Sequence, residues 1–177
     1  MEATTLALLV LIPLLVWRVY FRLKGLLGGR RPSRPWFHLA PAILWPLLLA
    51  AAALQVRSDP LALSCLGAGA LAGAWIARWC IRLTYFENTA EGLFYTPDLR
   101  HGMTVTMLFV ARLLYCALEL YIDGRAATPT GATAGDFGRA PLTLLAFGAL
   151  AAYHAAYAYG LLRWRLGQRP LPAAPGD

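Results

Sequence analysis

Arg112 stands inside an apolar stretch that runs from His101 to Ile122, and its guanidinium keeps its proton under any physiological condition. At the middle of a bilayer such a charge costs about 2.5–3.5 kcal/mol on insertion scales, so something polar must shelter it. Glu119 follows seven residues later, which returns to the same helical face with a rise of about 10.5 Å. Tyr115 and Cys116 lie between them. In the last apolar run His154 sits near the midpoint, as Arg112 does in its own, and Tyr157 is one turn further on. These positions predict a buried polar cluster of Arg112, Tyr115, Glu119, His154 and Tyr157 joining two helices. It could bind an anionic ligand or headgroup, or pass protons. The plainer alternative is a hydrogen-bonded staple that fixes how the two helices pack.

Other reactive side chains carry less. Cys65, Cys80 and Cys116 have no C-x-x-C or zinc-ligand spacing and read as small apolar fillers. An outer disulfide between Cys65 and Cys116 needs their two helices to be neighbours. His38 and His101 fall at helix boundaries beside Trp36 and Arg100, as interfacial anchors do. His154 lies at a different depth, so no histidine pair suits haem, and no cofactor or metal is expected. Nucleophile elbow, phosphate-binding loop and dinucleotide fingerprint are all missing from the sequence. An enzyme is therefore not expected.

The elements that must position these residues are membrane spans. The chain of 177 residues is 59% hydrophobic and only 14% charged, with a mean hydropathy of +0.54. Its apolar residues fall in runs of about 20, enough to cross a hydrocarbon core. Five spans are expected, at about 4–23, 36–56, 60–81, 101–122 and 141–162, in one membrane domain covering 1–169. The first has no basic flank before it and no cleavage site after it, so it reads as a retained span rather than a secretory signal. Between spans three and four, Leu83–Glu87 and Gly92–Thr96 are aromatic and branched runs on either side of Asn88–Glu91. They predict a short β-hairpin over 83–96. The fold class is thus all-α, a five-span bundle with one small hairpin. The connection 123–139 reads as a mobile loop and the tail 170–177 as disordered.

Charge sets the orientation. Of 16 Lys and Arg residues, twelve fall on one side: Arg18, Arg22, Lys24, Arg30, Arg31 and Arg34 at the first connection, Arg78, Arg82 and Arg100 around the third, and Arg163, Arg165 and Arg169 after the last span. Arg57, Arg125 and Arg139 fall on the other. The basic side is cytoplasmic, which places the N-terminus outside, the hairpin and C-terminus inside, and the protein in a bacterial inner membrane. The net charge of +7 serves membrane orientation, so nucleic acid is not an expected partner. Gly69 and Gly73 form a G-x-x-x-G in span three, and Ala152, Ala156 and Gly160 make a similar groove in span five. Packing within the bundle is the first reading, dimerisation the second.

The order of these features resembles the CcdC-like membrane proteins. A basic loop follows span one, a small-residue span three runs into Thr84-Tyr85-Phe86-Glu87, and a hairpin leads into the span holding Leu108-Phe109-Val110-Ala111-Arg112-Leu113-Leu114-Tyr115. The most specific stretch is Thr84 to Tyr121, with Tyr95, Leu108 and Leu120-Tyr121 in place. The resemblance implies association with cytochrome c maturation genes but brings no catalytic residues. Where the family's pattern has a Trp-Arg pair, this chain has Tyr153-His154, so a shared polar centre need not carry the same charge. The reading is a non-enzymatic accessory or assembly factor, in contact with membrane lipid and with a membrane-protein partner or a second copy. The alternative is a small oligomeric carrier working through Arg112 and His154.

Overall fold

The computed structural model describes residues 18, 31–33, 35–89, 92–124 and 133–168. Apart from Arg18, the first expected span lies outside the described residues, as do Ala90, Glu91, the connection 125–132 and the tail. Among the described residues four helices are long and apolar enough to cross a membrane. They are α1 (Pro35–Gln55), α2 (Pro60–Leu83), α3 (Leu99–Asp123) and α5 (Pro141–Gly167). A short α4 (Ala134–Arg139) precedes α5.

Local chemistry accounts for where the helices begin. Asp59 caps α2, its carboxylate accepting from the backbone N–H of Leu61 at 3.0 Å and of Ala62 at 3.1 Å. Pro60 occupies the first helical position, where its missing N–H costs nothing. Asp98 caps α3 through the N–H of Arg100 at 3.1 Å. α4 sits inside the connection expected to be a mobile loop. Thr133 and Asp136 exchange side-chain and backbone bonds there in a complete capping box, which is enough to order one turn and a half. α5 runs to Gly167, five residues past its expected end, because Trp164 is held by a ring stack on Phe86 at 4.4 Å.

The expected hairpin is present as β2 (Tyr85–Thr89) and β3 (Gly92–Thr96), with Phe86 opposite Tyr95. Gly92 takes φ +135, a conformation open to glycine alone in practice. The sequence does not announce a third strand. β1 (Arg31–Pro32) pairs antiparallel with β3, giving the order β1-β3-β2. Pro32 is tolerated because β1 is an edge. The backbone N–H of Ser33 extends the pairing to the carbonyl of Leu93 at 2.8 Å.

α5 is the hub of the bundle. It packs on α1, α2 and α3, and 56% of its span is buried against 6% for α1. α2 and α5 run parallel, since Gly69 faces Leu145 and Gly73 faces Ala149. α3 runs the other way, with Gly102 beside Tyr153 and Arg112 beside Thr143. So does α1, whose Trp45 meets His154. The sheet therefore gathers at the end where α2 and α5 finish and α1 and α3 start. One core cluster lies towards that end, around Ala77, Cys80, Val105, Leu150 and Tyr153. A second fills the opposite end around Val56, Ala62, Leu66 and Leu144.

His38 is not the boundary anchor expected. It is 5% exposed beneath the sheet, with Nε2 3.2 Å from the Ser33 hydroxyl and its ring edge-on to Tyr95 at 5.4 Å. All three cysteines are free, so the Cys65–Cys116 bridge is not formed.

Candidate functional site

The five polar residues expected to share one centre fall into two groups at different heights. Arg112 Nε donates to the Thr143 hydroxyl at 3.1 Å. Cys116 Sγ lies 3.9 Å from the same oxygen. The guanidinium carbon is 5.2 Å from the ring centre of Tyr115, within cation–π range. Glu119 follows Tyr115 one turn on, on the same face of α3. This makes a ladder of Thr143, Arg112, Tyr115 and Glu119 along one edge of α3.

Thr143 is only the third residue of α5. The guanidinium is therefore level with the end of that helix, not with its middle. His154 lies eleven residues further along α5, a rise of about 16.5 Å. Arg112 and His154 share no centre, which corrects the sequence expectation. The reason is stagger. α3 is shifted along α5, so the midpoints of the two apolar runs do not coincide. Arg112 stays near the middle of α3, and its polar shelter is the Thr143 hydroxyl at the start of α5.

His154 and Tyr157 belong to the half of α5 nearer the sheet. The His154 ring stacks on Trp45 at 5.1 Å and 17° and meets the edge of Tyr153 at 5.3 Å. Tyr153 stacks on Tyr157 at 5.9 Å and 7°, and both it and Cys80 belong to the core cluster nearer the sheet. Thr84 donates to the Cys80 carbonyl at 2.9 Å, so in the 3.0 Å contact between Tyr157 and Thr84 the tyrosine hydroxyl is the donor. Between α3 and α5 a cleft of about 330 Å³ is bordered by Asp98, Gly102, Met103, Thr106, Tyr153 and His154. A Cβ at Gly102 would stand 2.6 Å from the Tyr153 hydroxyl, so a side chain there must push the end of that tyrosine aside.

The two groups suit different chemistry. The Arg112 ladder carries a charge but is partly open, and Tyr115 is 45% exposed. The cleft is aromatic and thioether-lined, suited to an uncharged group with one or two hydrogen-bonding atoms. Arg112 is not among its lining residues. Among the described residues no set of three His, Cys, Asp or Glu side chains could hold a metal ion. Trp45, Thr84, Thr143 and Tyr153 complete the two groups and were not singled out as site residues from the sequence. Thr143 had a signal, as a hydroxyl just inside an apolar run; Trp45 had none that separates it from a lipid-facing tryptophan.

Residues 4–165 match the family model described as CcdC protein. The chain belongs to the CcdC family. No curated protein and no solved structure matches it. Within this CcdC chain, three residues of the matched range serve as ties between elements. Thr84 joins α2 to α5, Phe86 joins the sheet to α5, and Arg112 joins α3 to α5.

Proposed function

We propose that this CcdC-family protein is a non-enzymatic accessory or assembly factor of a bacterial inner membrane, with the sheet and C-terminus cytoplasmic and the N-terminus outside. One observation carries the reading: the polar side chains inside the spans are engaged from helix to helix. Arg112 bonds to Thr143 and Tyr157 to Thr84, while His154 is stacked on Trp45. At the same time α1 turns Leu44, Leu47 and Leu48 outward, an apolar face for lipid, a membrane-protein partner or a second copy. The charges support the orientation. Arg78, Arg82, Arg100, Arg163 and Arg165 lie towards the sheet end, against Arg57 and Arg139 at the other. The family's association with cytochrome c maturation genes points to that process as the context. A carrier that needs Arg112 and His154 in one path has no common centre to work through.

Affinity purification of the tagged protein from its native membrane, with mass spectrometry of what comes with it, tests the role. A cytochrome maturation component is expected. Isolation alone, together with turnover of a thiol or lipid substrate, would overturn the reading. Topology is tested separately in a background lacking the native cysteines. An impermeant thiol reagent added outside should label Gly138→Cys and spare Glu87→Cys; the reverse result inverts the orientation.

A further inference from the structure

On the outer face of α2, Trp75, Arg78, Trp79 and Arg82 follow at intervals of three and four and stand on one side of the helix. Trp75 is 73% exposed and Trp79 53%; both arginines are exposed as well. Across the seam α5 repeats the pattern with Tyr159 and Arg163, four residues apart, beside Trp164. Arg78 borders two adjoining hollows. One, of about 280 Å³, is shared with Trp75, Trp79 and Arg82. The other, of about 620 Å³, runs between α2 and α5 past Tyr159, Arg163 and Gln168. Its floor includes Ala74, Ala156 and Gly160, with the Ile81 side chain packed against Gly160. Among the described residues no carboxylate forms an ion pair with Arg78, Arg82 or Arg163.

We propose that this groove binds an anionic phospholipid, with its phosphate held by Arg78 and Arg163, Arg82 at the rim, and an acyl chain laid over the small residues of the floor. Charge, shape and position agree. Guanidinium forks match phosphate oxygens in pairs. Exposed Trp and Tyr mark the headgroup level. Basic pockets between transmembrane helices are suited to acidic headgroups. A free phosphate shares the first of these features but leaves the apolar floor and the tryptophans unused, which commits the site to a lipid.

Native mass spectrometry of the full-length protein, released from nanodiscs of phosphatidylglycerol and phosphatidylcholine in equal parts, tests this directly. Retention should favour phosphatidylglycerol by about tenfold. The preference should vanish in R78Q/R163Q and persist in R57Q/R139Q, which removes two charges from the opposite end. Millimolar inorganic phosphate should leave the bound lipid in place. Equal retention of both lipids by the wild-type protein overturns the proposal without reference to any variant. So does a preference unchanged in R78Q/R163Q, or displacement by inorganic phosphate, which would make it a site for the free anion.

Discussion

Where α5 lies along α2, the two helices touch backbone to backbone. A Cβ on Gly69 would run into the carbonyl of Leu145, one on Gly73 into that of Ala149, and one on Gly148 into that of Leu66. Where α5 lies along α3, the contacts are side chains reaching across: Arg112 to Thr143, Cys116 to the same hydroxyl, and Tyr153 against Gly102. Along residues 66–73 the first seam has no room for a guest, and only beyond them does it open into the arginine-lined groove. The second contains the cleft and the Arg112 ladder, while Tyr157 reaches across to Thr84 on the α2 side. In a membrane, apolar burial does not distinguish a helix from lipid, so close backbone contact is what holds helices together. Firm fixing of α2 on α5 leaves the α3 side free to be looser and more polar.

Substitution at the glycines should break this comparison most sharply. Gly73→Leu drives a side chain into the Ala149 backbone and should destabilise the bundle by about 3 kcal/mol or more, or prevent folding. Gly67→Leu, six residues earlier with nothing within 4 Å, should leave thermal unfolding in detergent unchanged. Gly102→Ala is the matched test on the α3 side. There the obstacle is the far end of a tyrosine, which can move, so a loss of about 1 kcal/mol is expected in the same assay. A cost at Gly102 equal to that at Gly73 would mean the two seams are alike.

Double-mutant cycles sharpen the point. Arg112→Leu with Thr143→Val should show a coupling of about 1 kcal/mol, the scale of an interhelical hydrogen bond in a membrane. Arg112→Leu with His154→Leu should show none. The smallest effect is expected at α4, which touches both α3 and α5 at the end of the looser seam. The Thr133 hydroxyl and backbone N–H hold the Asp136 carboxyl below its ordinary range. Its capping contribution is therefore complete above the unfolded carboxyl pKa and fades as pH falls through the lower folded value. Amide exchange in residues 134–139 should rise in that acid window and not between neutral and mildly acidic pH.

The starts of α2 and α5 were legible from the apolar runs that open at Pro60 and Pro141, whereas α3 begins two residues before its expected start because Asp98 caps it. The hairpin was legible from two branched, aromatic runs on either side of Asn88–Glu91. What could not be read was register between helices. An apolar run states its own length but not how far it slides past its neighbour, and the assumption of matched midpoints placed Arg112 beside His154. Nor could β1 be foreseen, since two residues acquire strand geometry only because β3 offers an open edge. The identity of the tight seam was half visible. Gly69 and Gly73 announced a close partner, but Leu145 and Ala149 gave no sign of being it.

The parallel course of α2 and α5 also has a consequence for biosynthesis. Gly73 and its partner Ala149 are 76 positions apart, and α3 must cross the membrane in the opposite sense before the partner exists. At roughly 5–20 residues per second, the ribosome needs about 4–15 s to make that intervening chain. Throughout this interval the glycine face of α2 stands uncovered among lipids and newly inserted segments, so capture by a second nascent copy competes with closure on α5.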